Sequence, residues 1–311
     1  MTGKLDRDDG LDGLLVEAAD WLVRLTSREA TTEDARQLEE WRALSPEHEA
    51  AFREIAGVRN YARVAHRTRP PINRRAVLTG AGAGAAALFA GLGLARPPLG
   101  LWPSLAELMA DHRTAVGGRF AFAPAAGVDV EMSSRTSVSV IDGGQGISLI
   151  GGEAFISAAA QRQPFVIGAE PVRLAVSDAQ LNVQVLASMT RISCVAGVVT
   201  CETADGSTQL SANEALTIGA GGVVRRARID GRRAIAWRRG LLIFEGTPLS
   251  EVVDQINLYR EGRVILDDAS LGALPVNAVF HTGQIQNAVS QIELLLGLRA
   301  RRIAGGVVLL G

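Results

Sequence analysis

The sequence predicts a multi-domain chain: a small all-α N-terminal domain, one transmembrane helix, an all-β domain and a small α+β module at the end. Three observations lead there. Apolar residues recur at helical spacing before residue 70. The stretch Ala76–Ala95 then carries no charge. From about residue 115 short alternating runs take over and give way near Trp237 to strand–helix alternation. The predicted boundaries are 1–70, 74–95, a linker at 96–111, 112–235 and 236–311.

Length and composition agree with this division. A chain of 311 residues suits two or three domains. It is 47% hydrophobic with a net charge of −1, which gives no global reason to expect direct nucleic-acid binding. With 5% aromatics and 34 glycines it favours light β structure with many turns over an aromatic-lined catalytic core.

In the N-terminal domain, Leu11, Leu14, Leu15, Ala18, Leu22 and Leu25 mark a first helix. Thr31 or Thr32 caps a second that carries Ala35, Leu38 and Trp41. A third opens at "SPEHEAAF", with Ser45 as cap, Pro46 in the first turn and Glu47 and Glu49 complementing the helix dipole. Three short helices bury little surface, so the domain reads as an adaptor whose apolar stripe a partner completes. The alternative is that Trp21, Trp41 and Phe52 simply pack on one another.

The segment Ala76–Ala95, as a helix of about 30 Å, would match a bilayer's hydrocarbon thickness. Arg74 and Arg75 precede its Val-Leu, as in a twin-arginine export signal. Arg59, Arg63, Arg67 and Arg69 add positive charge on the same side, which predicts a cytoplasmic N-terminus and an external C-terminus. Gly93-Leu94-Ala95 resembles a cleavage site, but cutting there would detach the N-terminal domain, so an uncleaved anchor is expected. Two other readings are a buried helix and a glycine-rich dinucleotide loop at Gly80, Gly82 and Gly84. The loop lacks the acidic strand end that a nucleotide site needs.

Beyond the linker, runs such as "SVSVI", "VRLAVSD" and "TRISCVAGVVTCE" predict an all-β unit. "LLIFE", a helix bearing Leu249, Val252, Val253 and Ile256, "RVIL", "VNAVF", a helix after Thr282, "LRARRI" and "GVVLL" predict β-α-β-β-α-β-β. Nothing predicts catalysis, a cofactor or a metal. The four histidines are scattered, and neither a nucleophile elbow nor a phosphate loop is present. The acids Asp267-Asp268 read as a solvated turn.

Along almost its whole length the sequence resembles the FecR family of membrane-spanning anti-sigma regulators. The resemblance rests on "AADWLVRLTS" with "EEWRALSPEHEAAF" (residues 18–52), "HRTAVGGR" (112–119), "LIGGEAFISAA" (149–159), "PFVI" (164–167) and "WRRGLLIFEGTPLSEVVDQINLYREGRVILDD" (237–268). The last is similar to the short secretin/TonB N-terminal domain. The central domain departs from the family where "APAAGVDVE", "VSDAQLNVQV" and "VAGVV" stand.

The resemblance implies a non-enzymatic inner-membrane regulator with a periplasmic β domain. It would bind an extracytoplasmic-function (ECF) sigma factor in the cytoplasm. It would receive a signal from the periplasmic domain of a TonB-dependent outer-membrane receptor, in iron or siderophore uptake, and release its sigma factor by regulated proteolysis. Trp21, Leu22, Leu25, Trp41 and Phe52 would then contact the sigma factor or support that contact. In an oxidising periplasm Cys194 and Cys201 could pair if Gly197-Val198 forms a hairpin turn; otherwise they are independent strand residues. The alternative function is a membrane-anchored envelope protein with a structural or glycan-binding β domain and no sigma partner.

Overall fold

Two long bent strands organise the β domain. The computed structural model describes residues 32–52, 104–219, 222–303 and 306–311, together with Leu14, Glu17, Ala18 and Trp21. The first strands are β1 (His112–Arg113), β2 (Phe120–Ala125), β3 (Val128–Met132), β4 (Ser137–Ile141) and β5 (Gly146–Ala158). There follow β6 (Phe165–Ala169), β7 (Val172–Val176), β8 (Ala179–Val185) and β9 (Met189–Thr203). The domain closes with β10 (Gly206–Ser211), β11 (Glu214–Gly219) and β12 (Val224–Arg228).

Strands β5 and β9 each belong to two layers. One layer runs β1-β4-β5-β6-β7-β9-β10 and the other β2-β3-β5-β8-β9-β11-β12, giving a barrel-like two-layer sheet with β5 and β9 as its corners. Corners need residues that tolerate positive φ, and each strand supplies a glycine. Gly152 has φ +98, and a Cβ there would come within 2.6 Å of the Thr136 backbone. Gly197 has φ +77, and a Cβ would come within 2.3 Å of the Asp178 carbonyl. Alternate residues from both layers, among them Met132, Ile147, Ile156, Leu174, Leu181, Ile192 and Leu210, fill the space between them.

The C-terminal module follows a short turn capped by Asp230. Its order is β13 (Leu241–Pro248), a helix Leu249–Tyr259, β14 (Arg263–Leu266), β15 (Pro275–His281), a helix Ala288–Leu296, β16 (Ala300–Arg302) and β17 (Val307–Leu310). Strands β13 and β15 pair antiparallel, while β14-β17-β16 form a separate sheet. Leu249, Val252, Val253 and Ile256 lie on one buried face of the first helix, as their spacing requires. The second helix starts at Ala288, not at Thr282. Thr282–Asn287 form a tighter 3-10 stretch in which Gln284 is non-helical, so Thr282 caps no α-helix. Gly297, left-handed at φ +66, ends that second helix.

The predicted fold class needs correction in one part. Among the described residues no helix is long and apolar enough to cross a membrane, and residues 74–95, with Arg74 and Arg75, lie outside the described residues. The described chain is a small helical N-terminal part and a mostly β remainder. The inference of one transmembrane helix leaned on length and lack of charge. Alanine and five glycines (Gly80, Gly82, Gly84, Gly91 and Gly93) supply little hydrophobicity there, and each glycine costs about 1 kcal/mol in helix propensity.

Candidate functional site

The covered face of the second layer is built by strand alternation. On β8, Leu181 and Val183 point into the β core, so Asn182 and Gln184 point out of it. Register places Asn182 opposite Phe155 and Ser193, and Gln184 opposite Glu153 and Arg191. In an isolated domain these side chains would meet water. Here the C-terminal module covers them, and Phe155 joins the module's apolar core with Trp237.

A buried polar network results. Asn182 Nδ2 and Gln184 Nε2 donate to Glu153 Oε1 at 2.9 and 3.0 Å, and Trp237 Nε1 donates to Asn182 Oδ1 at 2.9 Å. Gln255 and Tyr259, from the module's first helix, approach the same carboxyl group, although Glu153 Oε2 has no partner in hydrogen-bonding geometry. The Tyr259 hydroxyl and Ser133 Oγ lie 2.6 Å apart, and Ser134 Oγ donates to the Leu258 carbonyl at 2.6 Å. Burial pushes the Glu153 carboxyl up to about 7 against the opposing pull of its amide donors and Arg191. Burial likewise drives the Tyr259 hydroxyl well above its ordinary value.

Charged pairs surround the network. Arg191 and Arg225 both donate to Glu251, at 2.5 and 3.1 Å, across a cleft of about 750 Å³ between the β layer and β13. Arg238 forms a fork with Glu131 at 2.8 and 2.5 Å and lies 4.1 Å from the Phe155 ring centre. Arg119 donates to the Trp237 and Arg238 carbonyls at 2.8 and 2.6 Å. Thus "HRTAVGGR", "LIGGEAFISAA" and the start of "WRRGLLIFEG" meet at one junction through Arg119, Glu153, Phe155, Trp237 and Arg238.

The N-terminal part presents a second, apolar site. Helix α1 (Thr32–Arg42) is followed by helical residues 46–52. Ser45 Oγ accepts from the Glu47 and His48 amides at 3.2 and 3.5 Å, which caps the second segment. His48 meets the Trp41 ring edge-on with centroids 4.9 Å apart, and Trp41 Nε1 donates to Glu17 Oε2 at 2.7 Å. Arg42 pairs with Glu49 at 2.7 Å, which raises its pKa, and stacks over Phe52. Trp41 is buried, Trp21 and Phe52 are half-buried, and Leu22 and Leu25 lie outside the described residues. Leu44, which sequence reading passed over, is 68% exposed between the two helical segments. Ala18, Leu38, Trp41 and Ala51 cluster with Ala236, Leu241 and Val279 beside the C-terminal module.

Cys194 and Cys201 occupy one continuous strand, β9, with Gly197 forming its corner and no hairpin turn between them. Both are free thiols buried in the β core, and burial pushes them up to about 11 and 12. Among the described residues no group of three or more His, Cys, Asp or Glu could hold a metal ion.

A small helical segment thus stands ahead of a two-layer β domain and an α+β module, and the last two meet through one buried polar network. Residues 110–200 match the family model described as FecR protein, and residues 17–58 match a domain of unknown function, DUF4880. The chain therefore carries a FecR-family domain preceded by a DUF4880 region. Two solved structures of a candidate anti-sigma factor from Parabacteroides distasonis ATCC 8503, at 1.65 and 2.50 Å, share the fold at TM-scores of 0.58 and 0.57. Each is 18% identical and covers 64% of this chain, which in turn spans 97% and 96% of those chains. A search of curated proteins found no match.

Proposed function

We propose that the chain is an anti-sigma factor of a cell-surface signalling relay. Its N-terminal region, residues 1–70, holds an ECF sigma factor through the face that carries Trp21, Leu22, Leu25, Trp41 and Phe52, and exposed Leu44 extends that face. The β domain (112–235) and the C-terminal module (236–311) receive the signal from the signalling domain of a TonB-dependent receptor. Proteolysis then frees the N-terminal region with its sigma factor. The chain works by binding, without chemistry of its own.

The order of the matched regions carries this reading: a DUF4880 region stands ahead of a FecR domain, whose fold is shared with a candidate anti-sigma factor. The apolar N-terminal face adds physical support, because a helical pair with little core of its own gains most from a partner's apolar surface. The test is affinity purification of the full chain co-expressed with each ECF sigma factor of its genome. One sigma factor should co-purify, and Leu44→Asp should weaken its retention. Retention of none would overturn the proposal.

A further inference from the structure

At the edge of the junction, away from Glu153, four arginines crowd together. The turn 133–136 docks on the last turn of the helix Leu249–Tyr259 through the Ser133–Tyr259 and Ser134–Leu258 hydrogen bonds, each 2.6 Å. Directly after the two anchors stands Arg135, held at φ +49, a left-handed conformation disfavoured for a residue that bears a side chain. Arg260 leaves the same helix end. Asn257 clamps that end to β14 through the Val264 amide and carbonyl, at 2.8 and 2.9 Å, and β14 opens with Arg263. Arg302 pairs across β16–β17 with Val308, which itself pairs with Val264, so these three side chains share one face of the small sheet.

Arg260 is 7% exposed, and its Nε and Nη1 are buried without a hydrogen-bond partner. Its neighbours make this worse: burial lowers its pKa first, and the positive charges of Arg302 and Arg135 lower it further. Burial likewise lowers Arg135, with Arg263 adding to the effect. The acids facing the group are Glu261, beside Arg135, and Asp254, beside Arg263, and the latter's carboxylate accepts from the Ser188 amide at 2.8 Å. A buried guanidinium with open donors and cationic neighbours is costly unless an anion completes it. The planar fork of arginine fits oxyanions with two oxygens to offer.

We infer that Arg260, Arg135 and Arg302 form a binding site for a multiply charged oxyanion of the phosphate class, carried as the free ion or as the phosphate of a small soluble ester. Arg260 supplies the buried donors, and Arg135 and Arg302 supply the rim. Arg135 belongs to the β domain and Arg260 to the module, so the anion ties the two together and reinforces the hydrogen bonds of Ser133 and Ser134. The inference is independent of sigma-factor binding.

The test is thermal unfolding and calorimetric titration of the full chain with sodium phosphate and with glycerol 3-phosphate, against sodium chloride at matched ionic strength. Phosphate should raise the melting temperature saturably, by about 3 °C or more. Arg135→Gln should weaken the affinity about tenfold, and Arg260→Gln should abolish the shift. Arg225→Gln, which loses only a partner of Glu251 elsewhere, should leave the shift unchanged. If Arg260→Gln does not fold, Arg135→Gln decides alone. A response to glycerol 3-phosphate as well as the free ion supports a phosphate-ester ligand, and a response to phosphate alone supports the free ion. A shift no larger than that in chloride, or one unchanged in Arg135→Gln, overturns the site.

Discussion

The C-terminal module makes two contacts of opposite character. Toward the β domain it buries a polar network: Trp237 donates to Asn182, Asn182 and Gln184 donate to Glu153, and Tyr259 meets Ser133. Toward the N-terminal helices it presents an apolar cluster, with Leu241 and Val279 against Ala18, Trp41 and Ala51. A buried network tolerates one arrangement, because each displaced partner leaves another group unsatisfied. An apolar patch accepts any surface of suitable shape. The first contact fixes a geometry, and the second can be exchanged for a partner, which is the property the proposed sigma-binding face needs.

The largest effect that would sharpen this contrast is Trp237→Ala. It removes a fully buried indole and orphans Asn182 Oδ1, so unfolding of the β domain with its module should lose about 3–5 kcal/mol. Circular dichroism melts would register a fall of roughly 10 °C. A change of a degree or two would remove the network from the account of stability.

Glu153 gives the next largest effect, and its sign is fixed. Its carboxyl titrates at about 7 when folded and at an ordinary 4.5 when unfolded. Between those values the folded chain keeps a proton that the unfolded chain has released. Stability is therefore greatest below 4.5, falls as pH rises to about 7 and then levels, by roughly 3 kcal/mol in all. Burial raises Asp254 above its ordinary 3.8 as well, which adds a loss of the same sign as pH rises. Glu153→Gln should melt higher than the parent at pH 8 and close to it at pH 4.5. Equal melting at both pH values would break the link between this carboxyl and the junction.

Smaller effects belong to the N-terminal side. Ser45→Ala removes the cap of residues 46–52 and should cost that helix about 1 kcal/mol, read as faster amide exchange there with the main melt unchanged. Arg36→Ala breaks the exposed pair with Glu40, whose loss should cost about 0.3–0.5 kcal/mol, near the limit of a chemical melt.

What the sequence revealed follows the same division. Period-two alternation exposed the strands, and the Leu249–Ile256 spacing exposed the module's first helix, because one-sided burial leaves a periodic trace. The polar residues of "AQLNVQV" carry no sign of their cover, since Asn182 and Gln184 alternate with apolar neighbours as solvent-facing residues do yet lie under the module. No local pattern distinguishes a polar residue facing water from one facing another domain. The bends at Gly152 and Gly197 were hidden because positive φ in a long strand depends on contacts distant in sequence, and so the sequence left open both a turn at Gly197-Val198 that would pair Cys194 with Cys201 and the two independent strand residues that β9 contains. "HRTAVGGR" and "LIGGEAFISAA" carried the family resemblance, but only the fold brings Arg119 to the Trp237 carbonyl and Glu153 beneath the module.

Isothermal titration of the full chain with its co-purifying sigma factor, comparing parent, Leu44→Asp and Glu153→Gln, tests the central claim most directly. Leu44→Asp should lower the affinity at least tenfold while Glu153→Gln keeps it within a factor of two. Unchanged binding by Leu44→Asp, or loss of binding by Glu153→Gln in a folded chain, would contradict the assignment of partner binding to the apolar N-terminal face.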